Sequence, residues 1–164
     1  MRFTTKTEYG LFCLIYMAKN NADTIPITVK DIVKGERYSI TYAEKILQTL
    51  RLANIVSSHQ GNRGGYLLAR EASEITLREI IEALEGNTFD VFCDEPRTRK
   101  EIVCNHFPLC HVKPVWERTK QILDHFYGSI TLEMLAKNQL DFSKTSSLIK
   151  QEKETVLSKE KHGK

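Results

Sequence analysis

Long apolar segments are missing from this chain of 164 residues. A membrane-spanning helix needs about 18 or more consecutive apolar residues, and no segment of the sequence approaches that length. The opening residues, MRFTTKTEYG, lack the apolar core of a secretory signal peptide. We therefore expect a cytoplasmic protein. No set of Ser, His and Asp and no pair of carboxylates stands in a context that supports catalysis, so we do not expect an enzyme.

Cysteine is scarce, yet three of the four cysteines, Cys93, Cys104 and Cys110, fall in one segment, CDEPRTRKEIVCNHFPLC. Thiols stay reduced in the cytoplasm, so clustered cysteines indicate metal or redox chemistry rather than a structural disulfide. The surrounding residues 88–114, called the cysteine loop below, contain three prolines, which oppose a helix. Cys13 lies apart in a helical pattern and is interpreted as a small buried hydrophobic side chain.

Three chemistries compete for the cysteine loop. An iron–sulfur cluster would use all three thiolates. Zinc sites usually contain closer pairs such as Cys-x2-Cys, and this loop has none. A thiol switch needs only two cysteines with a lowered pKa, which the nearby Arg97, Arg99 and Lys100 would favour. The residues by themselves leave this choice open.

Helical spacing is clear in the first third of the chain. The spacing predicts a helix over residues 5–19, with one apolar face: Leu11, Leu14, Ile15 and Ala18. Thr28 with Asp31, and then Thr41 with Glu44, have the spacing of capping boxes that begin two further helices. The second of these has a predicted inner face: Ala43, Ile46, Leu47 and Leu50. Two short helices joined by a tight turn predict a helix-turn-helix.

The outer face of the second capped helix is polar and comprises Thr41, Tyr42, Glu44, Lys45 and Gln48. Such a face is usually only solvated, but in a helix-turn-helix it can reach phosphates and base edges in a major groove. Two predicted strands, residues 55–59 and 66–69, follow around the glycine-rich turn GNRGG. A hairpin after a helix-turn-helix predicts a wing, with Arg63 near its tip and suited to a minor groove.

A third capping box, formed by Thr76 and Glu79, begins a helix that Gly86 ends. Its predicted inward residues are Leu77, Ile80, Ile81 and Leu84. After the cysteine loop comes a helix with a broad apolar face: Val115, Thr119, Ile122, Leu123, Phe126 and Tyr127. That face suits either an ordinary core or a two-fold interface. From about residue 143 the chain is highly charged, as in a solvated tail.

These features together resemble the winged-helix iron–sulfur cluster regulators of bacteria, of the IscR/NsrR type. The resemblance covers roughly residues 1–138, and its marks are MRFTTKTEYGLFCLIYMA, ITYAEKILQTLRLANIV, GNRGGYLLAR, ITLREIIEALEG and the three loop cysteines. It implies a homodimeric transcriptional regulator, acting as a repressor or an activator, that binds a palindromic operator in double-stranded DNA.

The resulting prediction is a mainly α fold: a winged helix-turn-helix DNA-binding domain with a C-terminal dimerisation helix. The DNA-binding domain would cover residues 1–87, and the cysteine loop, which would bind the cluster, residues 88–114. The dimerisation helix and a short following helix would occupy residues 115–138. Residues 139–164 would form the charged, flexible tail.

The resemblance also implies a ligand set for the cluster, either 2Fe–2S or 4Fe–4S. Cys93, Cys104 and Cys110 would supply three thiolates. The five residues between the last two cysteines match the family. The ten residues between the first two are more than in its shortest-looped members, which suits an insertion in a flexible loop.

The fourth ligand is the open position. IscR-type members carry a histidine three residues after the last cysteine, and this chain has Lys113 there. NsrR-type members use a carboxylate near the N-terminus, supplied by the partner subunit, which points to Glu8. His106 and His111 are the alternatives. Glu8 is equally consistent with an ordinary exposed residue in the first helical turn, where negative charge is favoured.

The function expected from the whole sequence is a DNA-binding regulator that senses redox state, nitric oxide or iron status through its cluster. A thiol-switch regulator without a cluster is the first alternative, and a small iron–sulfur electron carrier is the second. An electron carrier would leave the helix-turn-helix and the wing unexplained.

Overall fold

The structure, a computed structural model, describes residues 3–36, 38–61, 64–89 and 110–140. In those ranges the chain forms six helices and two strands: α1 (Thr5–Lys19), α2 (Val29–Ile32), α3 (Ile40–Leu52), β1 (Val56–His59), β2 (Gly65–Leu68), α4 (Leu77–Glu85), α5 (Lys113–Gly128) and α6 (Leu132–Ala136). This is the mainly α winged helix-turn-helix predicted from the sequence. None of the described helices is long and apolar enough to cross a membrane.

Side-chain caps determine where most of these helices begin. The hydroxyls of Thr28, Thr76 and Thr131 each accept a hydrogen bond from the backbone amide three residues later. Thr76 also forms the full capping box with Glu79, as predicted. The predicted cap at Thr41 is wrong, because α3 begins at Ile40 and is capped by the hydroxyl of Ser39.

The core lies where α1, α3 and α4 meet, and the predicted inner face of α3 is confirmed: Ala43, Ile46, Leu47 and Leu50 are buried. The predicted face of α1 is only partly right. Its buried residues are Thr7, Gly10, Cys13, Leu14 and Met17, whereas Leu11, Ile15 and Ala18 are half-buried. Gly10 lies on the buried side, where a Cβ would be 2.5 Å from Leu84 Cδ1, so its lack of a side chain lets α1 and α4 approach closely there. Cys13 is fully buried, as its interpretation as a small hydrophobic side chain requires.

The predicted hairpin is confirmed as the antiparallel pair β1–β2, although β2 begins one residue early, at Gly65. A third segment, not foreseen from the sequence, fixes it to the core. Ile27 and Tyr66 exchange two backbone hydrogen bonds of 2.9 and 2.8 Å. A Cβ on Gly65 would approach the carbonyl oxygen of Ile27 to 2.5 Å, so glycine is the residue that permits this contact.

The last two helices, α5 and α6, differ in how much of their surface is buried. α6 returns to the core, where Leu132 is fully buried and its amide donates to the Ile75 carbonyl at 2.8 Å. α5 buries only Tyr127 among its residues. Val115 and Ile122, on the predicted apolar face of α5, are 56% and 43% exposed. Within the described chain, Val115 and Ile122 are therefore not part of the core, whereas Tyr127 is.

Candidate nucleic-acid interface and cysteine loop

The exposed side of α3 is the candidate DNA-reading surface. Thr41, Glu44, Lys45 and Gln48 are all exposed. They follow one another at helical spacing, and the opposite side of α3 is held in the core. We call these four residues the α3 stripe. Because its direction is set by the buried face, the stripe presents a hydroxyl, a carboxylate, an ammonium and an amide to one side of the molecule.

Tyr42 differs from the other predicted DNA-contacting residues. It is half-buried, and its ring meets that of Tyr9 in α1 edge-on, with centroids 5.8 Å apart and planes at 85°. Its aromatic ring therefore serves helix packing, whatever its hydroxyl contacts. Arg63, the predicted wing-tip residue, lies outside the described residues.

Two exposed residues at the end of α3 were not among the predicted DNA-contacting residues. Arg51 and Leu52 lie three and four positions after Gln48, and Leu52 is 76% exposed. They extend the α3 stripe by one turn. The same helical spacing, carried one turn further, would have found them.

The predicted cluster ligands are only partly described. Cys93, Cys104 and His106 lie outside the described residues. Cys110 is a free, half-buried thiol shortly before α5. Glu8 and His111 are exposed, on α1 and just before α5 respectively. Within residues 3–36, 38–61, 64–89 and 110–140, no three or more of the His, Cys, Asp and Glu side chains form a group that could hold a metal.

Lys113, which stands where IscR-type members carry a histidine, has a structural partner. Its ammonium lies 3.6 Å from the Glu117 carboxylate, one turn later in α5. α5 begins at this lysine with Pro114 in its first turn, two residues earlier than the predicted start at 115. Proline suits the first turn because backbone N–H groups there have no intrahelical acceptor, so the lack of an N–H in proline loses no hydrogen bond.

The start of the cysteine loop is anchored on α5 by a group of polar side chains. Thr88 is 2% exposed, and its hydroxyl donates to the carboxylate of Asp124. The Lys120 ammonium donates to Asp124 Oδ2 at 3.0 Å and to Asn87 Oδ1 at 2.8 Å. Arg78 of α4 lies 3.7 Å from the same Asp124 oxygen. Asp124 therefore joins the loop, α5 and α4.

The electrostatics of Asp124 predict an acid-sensitive contribution to stability. Burial by itself would raise its pKa, but Thr88, Lys120 and Arg78 together hold the pKa below the ordinary value. The stabilisation is therefore complete above the unfolded-state pKa of about 3.9 and is lost as the pH falls through the lower folded-state value. We expect Asp124→Asn to reduce the free energy of unfolding by about 1–3 kcal/mol at neutral pH.

Urea unfolding between pH 3 and 8 measures this effect. The difference between wild type and Asp124→Asn should be constant from about pH 5 upward and should shrink below about pH 4. Asp23→Asn, on the exposed turn after α1, is the control and should change little. A difference that grows towards acid would contradict the assignment.

A second contact places the next residue of the loop on α5 as well. The rings of Phe89 and Trp116 have centroids 6.1 Å apart at an angle of 45°. Trp116 lies in the first turn of α5, shortly after Cys110, and is the one tryptophan of the sequence. Phe89 therefore lies at the first turn of α5, the helix that Cys110 shortly precedes, whereas Thr88 is held further along α5 by Asp124.

The winged-helix fold of this chain has counterparts among known proteins. Residues 3–138 match the model of the Rrf2 family, described as iron-dependent transcriptional regulators. The chain belongs to the Rrf2 family. It is therefore a DNA-binding transcriptional regulator and not an enzyme, as predicted.

Individual relatives agree with this Rrf2 assignment. The HTH-type transcriptional regulator IscR of Xenorhabdus nematophila is 32% identical over 139 residues, covering 85% of this chain and 81% of the relative. The structure of CymR (YrzC), the global cysteine regulator of B. subtilis, superposes with a TM-score of 0.67 at 31% identity, covering 86% of this chain and 99% of CymR. The oxidised form of Staphylococcus aureus CymR gives a TM-score of 0.61 at 29% identity, covering 83% of this chain and 96% of that one.

Proposed function

We propose that this Rrf2 regulator senses redox state, nitric oxide or iron status through an iron–sulfur cluster held by Cys93, Cys104 and Cys110. The observation that carries the proposal is the pair of contacts that bring the beginning of the cysteine loop to α5, the helix that Cys110 shortly precedes. Thr88 binds Asp124 and Phe89 meets Trp116. Three thiolates in one irregular segment suit iron–sulfur ligation.

The fourth ligand in this proposal is Glu8, with His106 or His111 as alternatives. The exposure of Glu8 in the first turn of α1 leaves its carboxylate accessible to a loop of a partner subunit. Oxygen is a harder ligand than thiolate and should bind iron less tightly. A single weaker ligand would suit a sensor, because the iron at that position is open to a competing molecule.

Anaerobic purification tests the cluster. We expect a coloured protein with visible charge-transfer absorption and with iron and acid-labile sulfide in equal amounts. A colourless protein that contains zinc, or no metal after anaerobic handling, would rule out the cluster. Glu8→Ala would then separate the fourth-ligand candidates, since an unaltered cluster in that variant would favour a histidine.

A thiol switch is the second candidate, favoured by the likeness to S. aureus CymR, which has been solved in an oxidised form. It needs two of the loop cysteines and no metal. Iron-free protein distinguishes the two proposals. Treatment with an oxidant should change its operator affinity if a thiol switch operates, and a cluster sensor should respond only after reconstitution with iron and sulfide.

We further propose that two copies of the chain associate through α5 and bind a palindromic operator. Val115, Trp116 and Ile122 of α5 are 56%, 38% and 43% exposed, and all are large apolar side chains. Apolar side chains along one helix are favourable to bury against a copy of themselves across a two-fold axis. A dimer would also place two α3 stripes on the two halves of an operator.

Within the α3 stripe, Glu44 and Lys45 should have separable roles. A carboxylate accepts from the cytosine amino group and repels phosphate, so Glu44→Ala should weaken discrimination between base pairs by about 1–3 kcal/mol. An ammonium contacts phosphate without regard to sequence. Lys45→Ala should therefore weaken binding to all duplexes and lower the slope of log K against log salt by about 1.

Fluorescence anisotropy with selected and scrambled duplexes over a range of salt concentrations measures both effects. Lys137→Ala in α6 is the control, because that lysine is paired with Glu133 at 2.5 Å and lies outside the α3 stripe. Equal specificity loss in the Glu44 and Lys45 variants would contradict the assignment.

A further inference from the structure

The approach of the chain to α3 is unusually long for a helix-turn-helix. α2 ends at Ile32 and α3 begins at Ile40, so residues 33–39 connect them. A compact helix-turn-helix uses about three or four residues there. A longer connection restricts the start of the second helix less. The buried face of α3 sets which side of the helix carries the α3 stripe, but the connection itself adds little constraint at the first turn of α3.

Tyr38 supplies a constraint there by packing on Tyr9 of α1. It directly precedes the capping residue Ser39, the position where an apolar side chain often packs on the first turn of its own helix. Here Tyr38 stacks instead on Tyr9 of α1, with ring centroids 4.3 Å apart and planes at 22°. Tyr9 in turn meets Tyr42, in the first turn of α3, edge-on at 5.8 Å. We call these three rings the tyrosine staple.

The inner end of the staple is held by the core of α1. The Tyr38 hydroxyl lies 3.6 Å from Cys13 Sγ, and Cys13 is fully buried. Burial raises the pKa of both groups, so each keeps its proton and either can donate to the other. The Tyr38 hydroxyl therefore reaches the buried side of α1.

We propose that Tyr9 and Tyr38 are positioning residues for DNA recognition. Tyr38 precedes the capping residue Ser39 and Tyr42 follows it, and both rings contact Tyr9 of α1. These contacts set the angle between α1 and α3. That angle determines where the α3 stripe points. Neither residue needs to touch DNA for its removal to weaken specific binding. This inference rests on the DNA-binding function of the family and not on the cluster.

Operator affinity of point variants tests the proposal in the full-length protein. The probes are a duplex selected by the wild-type protein from a random-sequence library and a scrambled duplex of the same composition. Loss of an aromatic pair should raise the Kd for the selected duplex by roughly three- to tenfold in Tyr9→Leu and Tyr38→Leu. The scrambled duplex should bind within about twofold of wild type, because binding to it rests on phosphate contacts, which carry no sequence information.

Conservative variants separate positioning from a general loss of stability. Tyr9→Phe and Tyr38→Phe keep the rings and should bind the selected duplex within about twofold of wild type. Tyr16→Leu is the matched control, a half-buried tyrosine of the same helix outside the staple, and should also be within twofold. Tyr9→Met, which fills the space without a ring, is the substitute if Tyr9→Leu does not fold. All variants are compared in the same metal state.

Three results would overturn the proposal. The first is a Leu or Met variant that folds and binds the selected duplex as tightly as wild type. The second is a Phe variant that loses as much affinity as the Leu variant. The third is an equal loss on the selected and scrambled duplexes, which would indicate a smaller folded fraction rather than a changed angle.

Discussion

Replacing Cys110 by Ala is expected to remove the visible absorption of the anaerobically purified protein and its bound iron and sulfide. Cys110 is a free, half-buried thiol beside α5. Without it, the proposed cluster would keep only two thiolates and one weaker ligand. Thiolates are the ligands that hold these clusters, so a reconstituted variant should retain less than about a tenth of the wild-type iron.

Cys13→Ala is the matched control for the Cys110 variant. Cys13 is a fully buried residue of α1, and its Sγ lies 3.6 Å from the Tyr38 hydroxyl of the staple. Its replacement should leave the iron content and the colour unchanged. Trp116 provides a second measurement, because a nearby light-absorbing cluster quenches tryptophan fluorescence. The emission should therefore be higher in Cys110→Ala than in Cys13→Ala. Normal colour in Cys110→Ala would reject the proposed ligand set.

Ile122→Glu is expected to convert the protein to a monomer and to lower operator affinity by about a hundredfold or more. Ile122 of α5 is 43% exposed in the described part of the chain, so a charge there costs little in a single chain. At a two-fold interface, the same change would place two carboxylates near each other and near apolar side chains. A monomer would also lose the gain in affinity from binding two half-sites at once.

Ile25→Glu is the matched control for the α5 variant, since Ile25 is 57% exposed but lies in the turn before α2. Analytical ultracentrifugation measures the mass, and anisotropy with the selected duplex measures affinity. Ile25→Glu should remain dimeric and bind normally. A dimeric Ile122→Glu protein would place the interface elsewhere than α5. A monomeric wild-type protein would contradict the proposed dimer.

The predicted caps and core faces show where sequence reasoning succeeds. Thr76 and Glu79 form their capping box, and Gly86 ends α4 at φ +88°, because these contacts lie within one or two turns of chain. Ser39 and Thr41 both carry a hydroxyl that can cap a helix, and the same inner face of α3 follows from either cap. Local spacing therefore does not choose between them.

The candidate sites also contain some features that local spacing predicts and others that it does not. Helical spacing was sufficient to find the α3 stripe, since a buried face defines an exposed one. It assigned Tyr42 to that face without showing its contact with Tyr9. The anchoring of the cysteine loop by Asp124 also went unpredicted, because Thr88 and Asp124 lie far apart along the chain. The ligand set itself stays a prediction.

By itself, then, the sequence determined the helix-turn-helix, the wing, the buried face of α3 and the clustering of three cysteines, all of which follow from local spacing, caps and residue chemistry. Only the tertiary structure decided which side of α1 is buried, that Tyr9 contacts both Tyr38 and Tyr42, and that Val115 and Ile122 of α5 are exposed within the described part of the chain. Those features arise from contacts between distant residues, such as Gly10 with Leu84 and Tyr9 with Tyr38, which no local pattern encodes.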